Sequence, residues 1–340
     1  MCQVSRREFL TGGAAAVLSA EFEEEVMAGV RGPVDVGKVE KMSDGVYFHE
    51  GDLQNKGHCN NGWVVFEDYV LVIDANFPSG AHEVIPKIRA ITDKPIRFAF
   101  DTHHHGDHAY GNQVWVDNGA VPVAHTGVIE EMKRYEPGRW NDGAKGREDM
   151  RNSKLKPPTV LFPRELIFDD GKRRVELIHL GVAHTHGDAF AWLPKERILF
   201  TGDACVNGPY NYMGDGDSRK WVDTLAAAKK LGARFIGPGH GPQGTNTVLD
   251  DQRMYFVILR DEVGRQLRAS DSVPPNELVD RVFRKITANP RISRYASKDG
   301  IGAQVDKVHR ELTGKPLQTT RRAVEHARHV HAHAHGTSLA

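Results

Sequence analysis

The run DTHHHGDHAYGN, Asp101 to Asn112, limits this chain more than any other stretch, because it holds four histidines and two aspartates in twelve positions. Buried imidazoles and carboxylates are costly unless they pair or share a cation. The preceding segment IRFAFD (Ile96–Asp101) has the composition of a β-strand, so the cluster falls in a loop at a strand end. His103 and His105 are two positions apart, and extended backbone puts such side chains on one side. Asp107 and His108 follow at a turn into a helix from about Ala109. One short loop can thus offer two pairs of ligands to two adjacent sites, and zinc takes imidazole nitrogen and carboxylate oxygen readily.

Around that loop the chain reads as alternating strands and helices. Strand-like segments are GVYFHEG (Gly45–Gly51), GWVVFED (Gly62–Asp68) and YVLVIDA (Tyr69–Ala75), separated by turn residues. Ser79–Thr92 predicts a helix despite Pro86, from the spacing of Val84, Ile85, Ile88 and Ile91. A short strand is expected at Val121–Ala124. Tyr135–Pro158 is polar and glycine-rich, the profile of a long mobile or functional loop such as a lid. Strands resume at ELIFDDG, RRVELIHLG, DAFAWLP and RILFTGD, and a helix at Ser218–Ala233 precedes the strand RFIGPGHG. From Val248 to about Gly314 the pattern is helical, broken at Pro274–Pro275.

Three further candidates lie at predicted strand ends: His184 in GVAHTHGDAF, Asp203 in LFTGDACV and His240 in GPGHGP. The ordered set H-x-H-x-D-H, H-T-x-G-D, F-x-G-D and G-x-G-H-G resembles the metallo-β-lactamase superfamily over roughly Val39 to Gly244. The resemblance implies an α/β fold, the αββα metallo-β-lactamase sandwich, with metals at one edge between the sheets. It implies His103, His105 and His184 for one metal, Asp107, His108 and His240 for the second, and Asp203 as a bridge, with two Zn2+ as cofactors. It also implies a hydrolase in which hydroxide between the metals attacks a carbonyl and Asp107 orients it. His104 is expected to pack behind the site, and His186 to be a loop residue. His179 reads as a satisfied strand histidine, and His49 and His58 as structural or surface residues, with His58 in a loop that can border the pocket.

The substrate class stays open at this level. NGPYNYMGDGDSRKW, after Asp203, resembles the zinc β-lactamases that use a cysteine ligand, which makes Tyr210, Asn211 and Tyr212 candidate pocket walls. Asp203 stands where those enzymes have their metal-binding cysteine, Cys205 is two residues off, and Val206 replaces an expected lysine. Asp203 and THHHGDHAYGN match the thioester-cleaving, glyoxalase-II-like branch better. Lactones and other esters stay open as substrates. Trp140 is expected to contact substrate, since an indole in a polar loop has little core to join. Two other readings remain: an iron-dependent redox enzyme of the same fold, since these ligands accept iron, and a non-enzymatic zinc-binding protein.

Composition narrows the partners. Lys plus Arg and Asp plus Glu each number 45 in 340 residues, so charge gives no reason to expect nucleic acid or an anionic membrane. No run approaches the roughly 18 apolar residues of a membrane span. Of three cysteines, Cys59 and Cys205 form one disulfide at most. At the N-terminus SRREFL (Ser5–Leu10) and TGGAAAVLSA (Thr11–Ala20) resemble a twin-arginine export signal, with Ala20 or Ala28 as its last residue. The division expected is 1–28 export signal, 39–247 catalytic domain, 248–316 helical extension and 317–340 histidine-rich tail. That implies a small-molecule substrate, the twin-arginine export machinery as partner, and a periplasmic or secreted protein.

Overall fold

The computed structural model describes residues 37–208, 212–269 and 274–317. The expected export signal and all of the histidine-rich tail after Leu317 lie outside the described residues.

Two sheets stack face to face. The first follows chain order, β1 (Val39–Ser43), β2 (Val46–His49), β3 (Asn61–Val65), β4 (Val70–Ile73), β5 (Ile96–Asp101), β6 (Val121–His125) and β7 (Val160–Phe162). Its first four strands form an antiparallel meander, and β4 to β7 run parallel. Parallel neighbours need a crossover, which the helix Pro78–Arg89 supplies between β4 and β5. That helix contains Pro86 on its exposed side, where the missing N–H leaves one carbonyl to solvent.

The second sheet is ordered β13 (Gly244–Thr245), β12 (Phe235–Pro238), β11 (Ile198–Gly202), β10 (Phe190–Leu193), β9 (Arg174–Ile178), β8 (Glu165–Asp169). It is antiparallel except where β11 meets β12 in parallel, across the helix Ser218–Lys230.

Strand alternation sorts the core into layers. All four residues of β4 are buried, with Leu71 and Ile73 facing the second sheet and Val70 and Val72 facing the helices outside. In β11, Ile198 and Phe200 join the layer between the sheets while Leu199 joins the outer one. The outer layer of the second sheet includes Trp221, Phe256, Val282 and Val308, so the helices Thr247–Arg268, Pro275–Thr287 and Ile301–Thr313 share one core with Ser218–Lys230. The result is the αββα sandwich.

The expectation of a long loop at Tyr135–Pro158 is corrected. That segment contains the helices Gly138–Gly146 and Glu148–Arg151, and Trp140 and Met150 bury against Phe77 and Tyr110. The expectation that the Trp140 indole has no core to join falls with it: Trp140 is 8% exposed, edge-on to the Tyr110 ring at 5.0 Å. Its core partners come from other elements, so the segment's own polarity hid them. The strand β7 was also not legible, because three residues are too few to show a period.

Candidate metal centre

The site forms where β4, β5, β11 and β12 end, together with the loop between β9 and β10. After β4 the chain turns sharply, with Asp74 and Asn76 at φ 65° and 61°. Such backbone is uncommon for residues other than glycine and persists only where surroundings hold it. Here Asp74 Oδ1 accepts from the Thr102 N–H at 2.9 Å, and Oδ2 lies 2.9 Å from His108 Nδ1. Asn76 Nδ2 donates to the Cys59 carbonyl and to Asn61 Oδ1. The buried carboxylate of Asp101 accepts from Asn112 Nδ2 at 2.6 Å, which ties the two ends of the histidine loop together. Two glycines permit the strand ends to pack closely around the site: a Cβ at Gly202, closing β11, would meet Thr102 Oγ1 at 2.2 Å, and one at Gly239, just after β12, would meet Asp203 Oδ1 at 2.0 Å.

All seven expected ligands meet in this space. Donor atoms of His103, His105 and His184 lie within 4.8 Å of one another, as do those of Asp107, His108 and His240. In the first group, Thr102 Oγ1 engages His103 Nδ1 at 3.1 Å, while the buried Nε2 has no hydrogen-bond partner among the described residues. His184 Nε2 and His105 Nδ1 approach to 2.8 Å. Burial holds His103 and His105 well below the ordinary histidine value and His184 at about 4, so their lone pairs are available.

In the second group His240 Nε2 lies 3.0 Å from Asp107 Oδ2, and His108 Nε2 lies 3.4 Å from the same oxygen. Asp203 spans both groups. Its Oδ1 is 3.3 Å from His108 Nε2 and 3.4 Å from His240 Nε2, and its Oδ2 is 3.6 Å from His184 Nε2. Burial opposes charge on these groups, but the opposite charges beside them prevail. Asp107 and Asp203 are held well below the ordinary carboxylate value, and His240 is raised to about 9. A buried imidazole nitrogen without a partner among the described residues, two converging lone pairs and a carboxylate facing both groups fit a divalent metal cofactor.

Other residues complete the centre, and several were not found by reading the chain. Asp215 Oδ2 accepts from His105 Nε2 at 2.9 Å, leaving Nδ1 for the metal side. Burial would raise Asp215, but hydrogen bonds from His104, His105 and Arg139 hold it far below the usual range. Cys59 and Asp74 sit beside His108 and can themselves gather with it around an ion. Asp74 carried a signal in hindsight, a carboxylate closing the apolar strand VLVI. The signal for Asp215 is weaker, and Arg139 had none.

His104 is buried and stacks on Tyr135. His186 is a half-exposed loop residue, and His179 Nδ1 donates to the Asp188 carbonyl at 2.7 Å. His49 and His58 are both buried. Cys59 and Cys205 are free buried thiols, with burial pushing Cys59 to about 12. Tyr212 sets its ring edge-on to His105 and His184, at 5.6 and 6.2 Å. Tyr210 and Asn211 lie outside the described residues.

A family model, the metallo-beta-lactamase superfamily, matches residues 55–240. A Beta-lactamase-like protein 2 homolog of Caenorhabditis elegans is 23% identical over 217 residues, 63% of this chain and 66% of that protein. Metallo-beta-lactamase type 2 of Bacteroides fragilis is 32% identical over 81 residues, 22% of this chain and 32% of that protein. The chain therefore spans just under two thirds of the first relative and a third of the second. Among solved structures, a metallo-beta-lactamase from Pontibacter korlensis superposes with TM-score 0.55 at 19% identity, over 65% of this chain and 98% of that one. The DIM-1 metallo-beta-lactamase gives TM-score 0.52 at 20% identity, over 64% and 95%. These structural likenesses show the fold.

Proposed function

From the premise that this chain belongs to the metallo-beta-lactamase superfamily, we propose that it is a dinuclear zinc hydrolase acting on an acyl compound: a β-lactam, thioester, lactone or other ester. The observation that carries the reading is Asp203, whose two oxygens divide between the two histidine groups. Zinc at these positions would polarise a carbonyl and bring the pKa of water near neutrality. His103, His105 and His184 would hold one ion, Asp107, His108 and His240 the other, and Asp203 both. Asp107, held ionised 3.0 Å from His240 Nε2, would accept a proton from attacking water and pass it to the leaving group. Tyr212 walls the first group, and Tyr210 and Asn211 are kept as substrate-contact candidates on sequence grounds alone. Trp140 packs edge-on to Tyr110, on the helix that carries Arg139.

Two observations bear on substrate. Val206 is 1% exposed in the outer core, so position 206 supplies no cation for an antibiotic carboxylate. Cys205 is packed in the same core and is no candidate ligand. Both favour thioesters, lactones and simple esters over β-lactams.

The test is metal analysis of the purified chain, followed by hydrolysis of a chromogenic cephalosporin, a thioester and a lactone, each with a chelated control. Two zinc ions and chelator-sensitive turnover of any of these support the proposal. A sample holding iron, with no hydrolysis in any assay, would replace it by redox chemistry, which the nitrogen and oxygen donors also suit. Export is part of the proposal and rests on Arg6 and Arg7. Lysine at both positions should retain the protein inside the cell; unchanged fractionation would refute this part.

A further inference from the structure

The segment Tyr135–Pro158 reaches the surroundings of the metal centre through Tyr135 and Arg139. Arg139, on the helix Gly138–Gly146, donates from Nη1 to Asp215 Oδ2 at 2.7 Å and from Nη2 to Oδ1 at 3.1 Å. The same Oδ2 accepts from His105 Nε2 at 2.9 Å. The Arg139 guanidinium lies 3.6 Å from the centre of the Tyr135 ring, whose plane is stacked on His104. Asp215 is 5% exposed at its side chain, so its rotamer depends on the partners around it.

We propose that Arg139 is a positioning residue of the metal centre: it holds Asp215 in the one orientation that fixes the His105 ring with Nδ1 toward His103 and His184. A carboxylate on the far nitrogen of a ligand histidine sets its tautomer and ring angle. The two-pronged guanidinium in turn sets the plane of the carboxylate. The helix carrying Arg139 is itself held, since the Trp140 N–H donates to Glu136 Oε2 at 2.8 Å and the indole is buried. Metal affinity at the first site therefore depends on an element that supplies no ligand. The inference rests on the metal-centre reading above.

The test uses the full chain with zinc, read by competition against a chromophoric chelator, and the His105 ring nitrogens by NMR. Arg139→Gln should weaken one of the two zinc ions by about 10- to 100-fold, leave the other nearly unchanged, and broaden or shift the His105 Nε2–H signal. Arg139→Lys, which keeps the charge but not the fork, should lose less. Asp215→Asn should match Arg139→Gln, and the double variant should be no worse than Asp215→Asn alone. Should Arg139→Gln fail to fold, Arg139→Lys and its double with Asp215→Asn carry the same comparison. Wild-type zinc affinity and unchanged His105 signals in folded variants would overturn the inference alone, as would strictly additive losses. A wild-type chain that takes up no metal would overturn the metal-centre reading, and this inference with it.

Discussion

His49 is buried at the end of β2, with neither ring nitrogen hydrogen-bonded among the described residues. Burial, with Lys87 nearby, pushes it down to about 4, while Glu83, 4.0 Å from Nε2, opposes the shift. His58 and Lys56 also face this group and lower it. The unfolded chain binds the proton near pH 6.5 and the folded one only near 4, so this contribution is complete above 6.5 and is lost as pH falls to 4. It amounts to about 3 kcal/mol. Denaturant midpoints of wild type and His49→Phe at pH 7.5 and 4.5 should differ in their pH slope by that amount; equal slopes would refute the assignment. At the same scale, Trp140→Ala should cost about 3 kcal/mol as a core truncation, read by thermal melting. His105→Ala should lose both metal and turnover, and a fully active His105→Ala would contradict the site.

Elements here are often capped by residues lying outside them. The helix Ser218–Lys230 starts conventionally, with Asp217 accepting from the Arg219 and Lys220 N–H groups. Asp217→Ala should cost about 1 kcal/mol without changing metal content, measured by urea unfolding and metal analysis. The helix Pro78–Arg89 has no side-chain cap of its own. Asp149, from Glu148–Arg151, accepts instead from the Ser79 N–H and hydroxyl at 3.1 and 2.6 Å. Arg147 lies over the Phe77 ring at 3.7 Å and donates to the Lys56 carbonyl. The 138–151 segment is thus pinned at its C-terminal end by Arg147 and Asp149, and at its start by the pairing of Arg139 with Asp215. Its local pattern gave no warning, because neither helix has an apolar face long enough to show a period.

The whole molecule depends on its last helices. Arg294 donates to Asn207 Oδ1 at 3.1 Å and to Asp251 Oδ2 at 2.9 Å, and the Asn207 N–H donates to the His240 carbonyl. The C-terminal segment therefore holds the loops that present Asp203 and His240, and its Phe256 packs against Trp221. A chain ending at Thr245 should be insoluble or unfolded, since it would uncover that core; a soluble, zinc-binding truncation would refute this. Chelation should lower the melting temperature of the intact protein, because ligands that bind only the folded state stabilise it.

The sequence by itself determined the order of most strands and helices and singled out seven candidate ligands. Strands and long amphipathic helices repeat over consecutive residues, and each ligand falls at a strand end within a few residues of a glycine. Tertiary structure alone decided what holds those ligands in place. Asp215 and His105 are 110 positions apart, Arg139 and Asp215 are 76 apart, and Asp74 and Thr102 are 28 apart. Such pairs leave no local periodicity, because each partner is an ordinary polar residue until folding buries it opposite the other. Trp140 shows the same limit from the apolar side: its polar neighbours in sequence suggested exposure, and its neighbours in space, Phe77, Tyr110 and Met150, made it core.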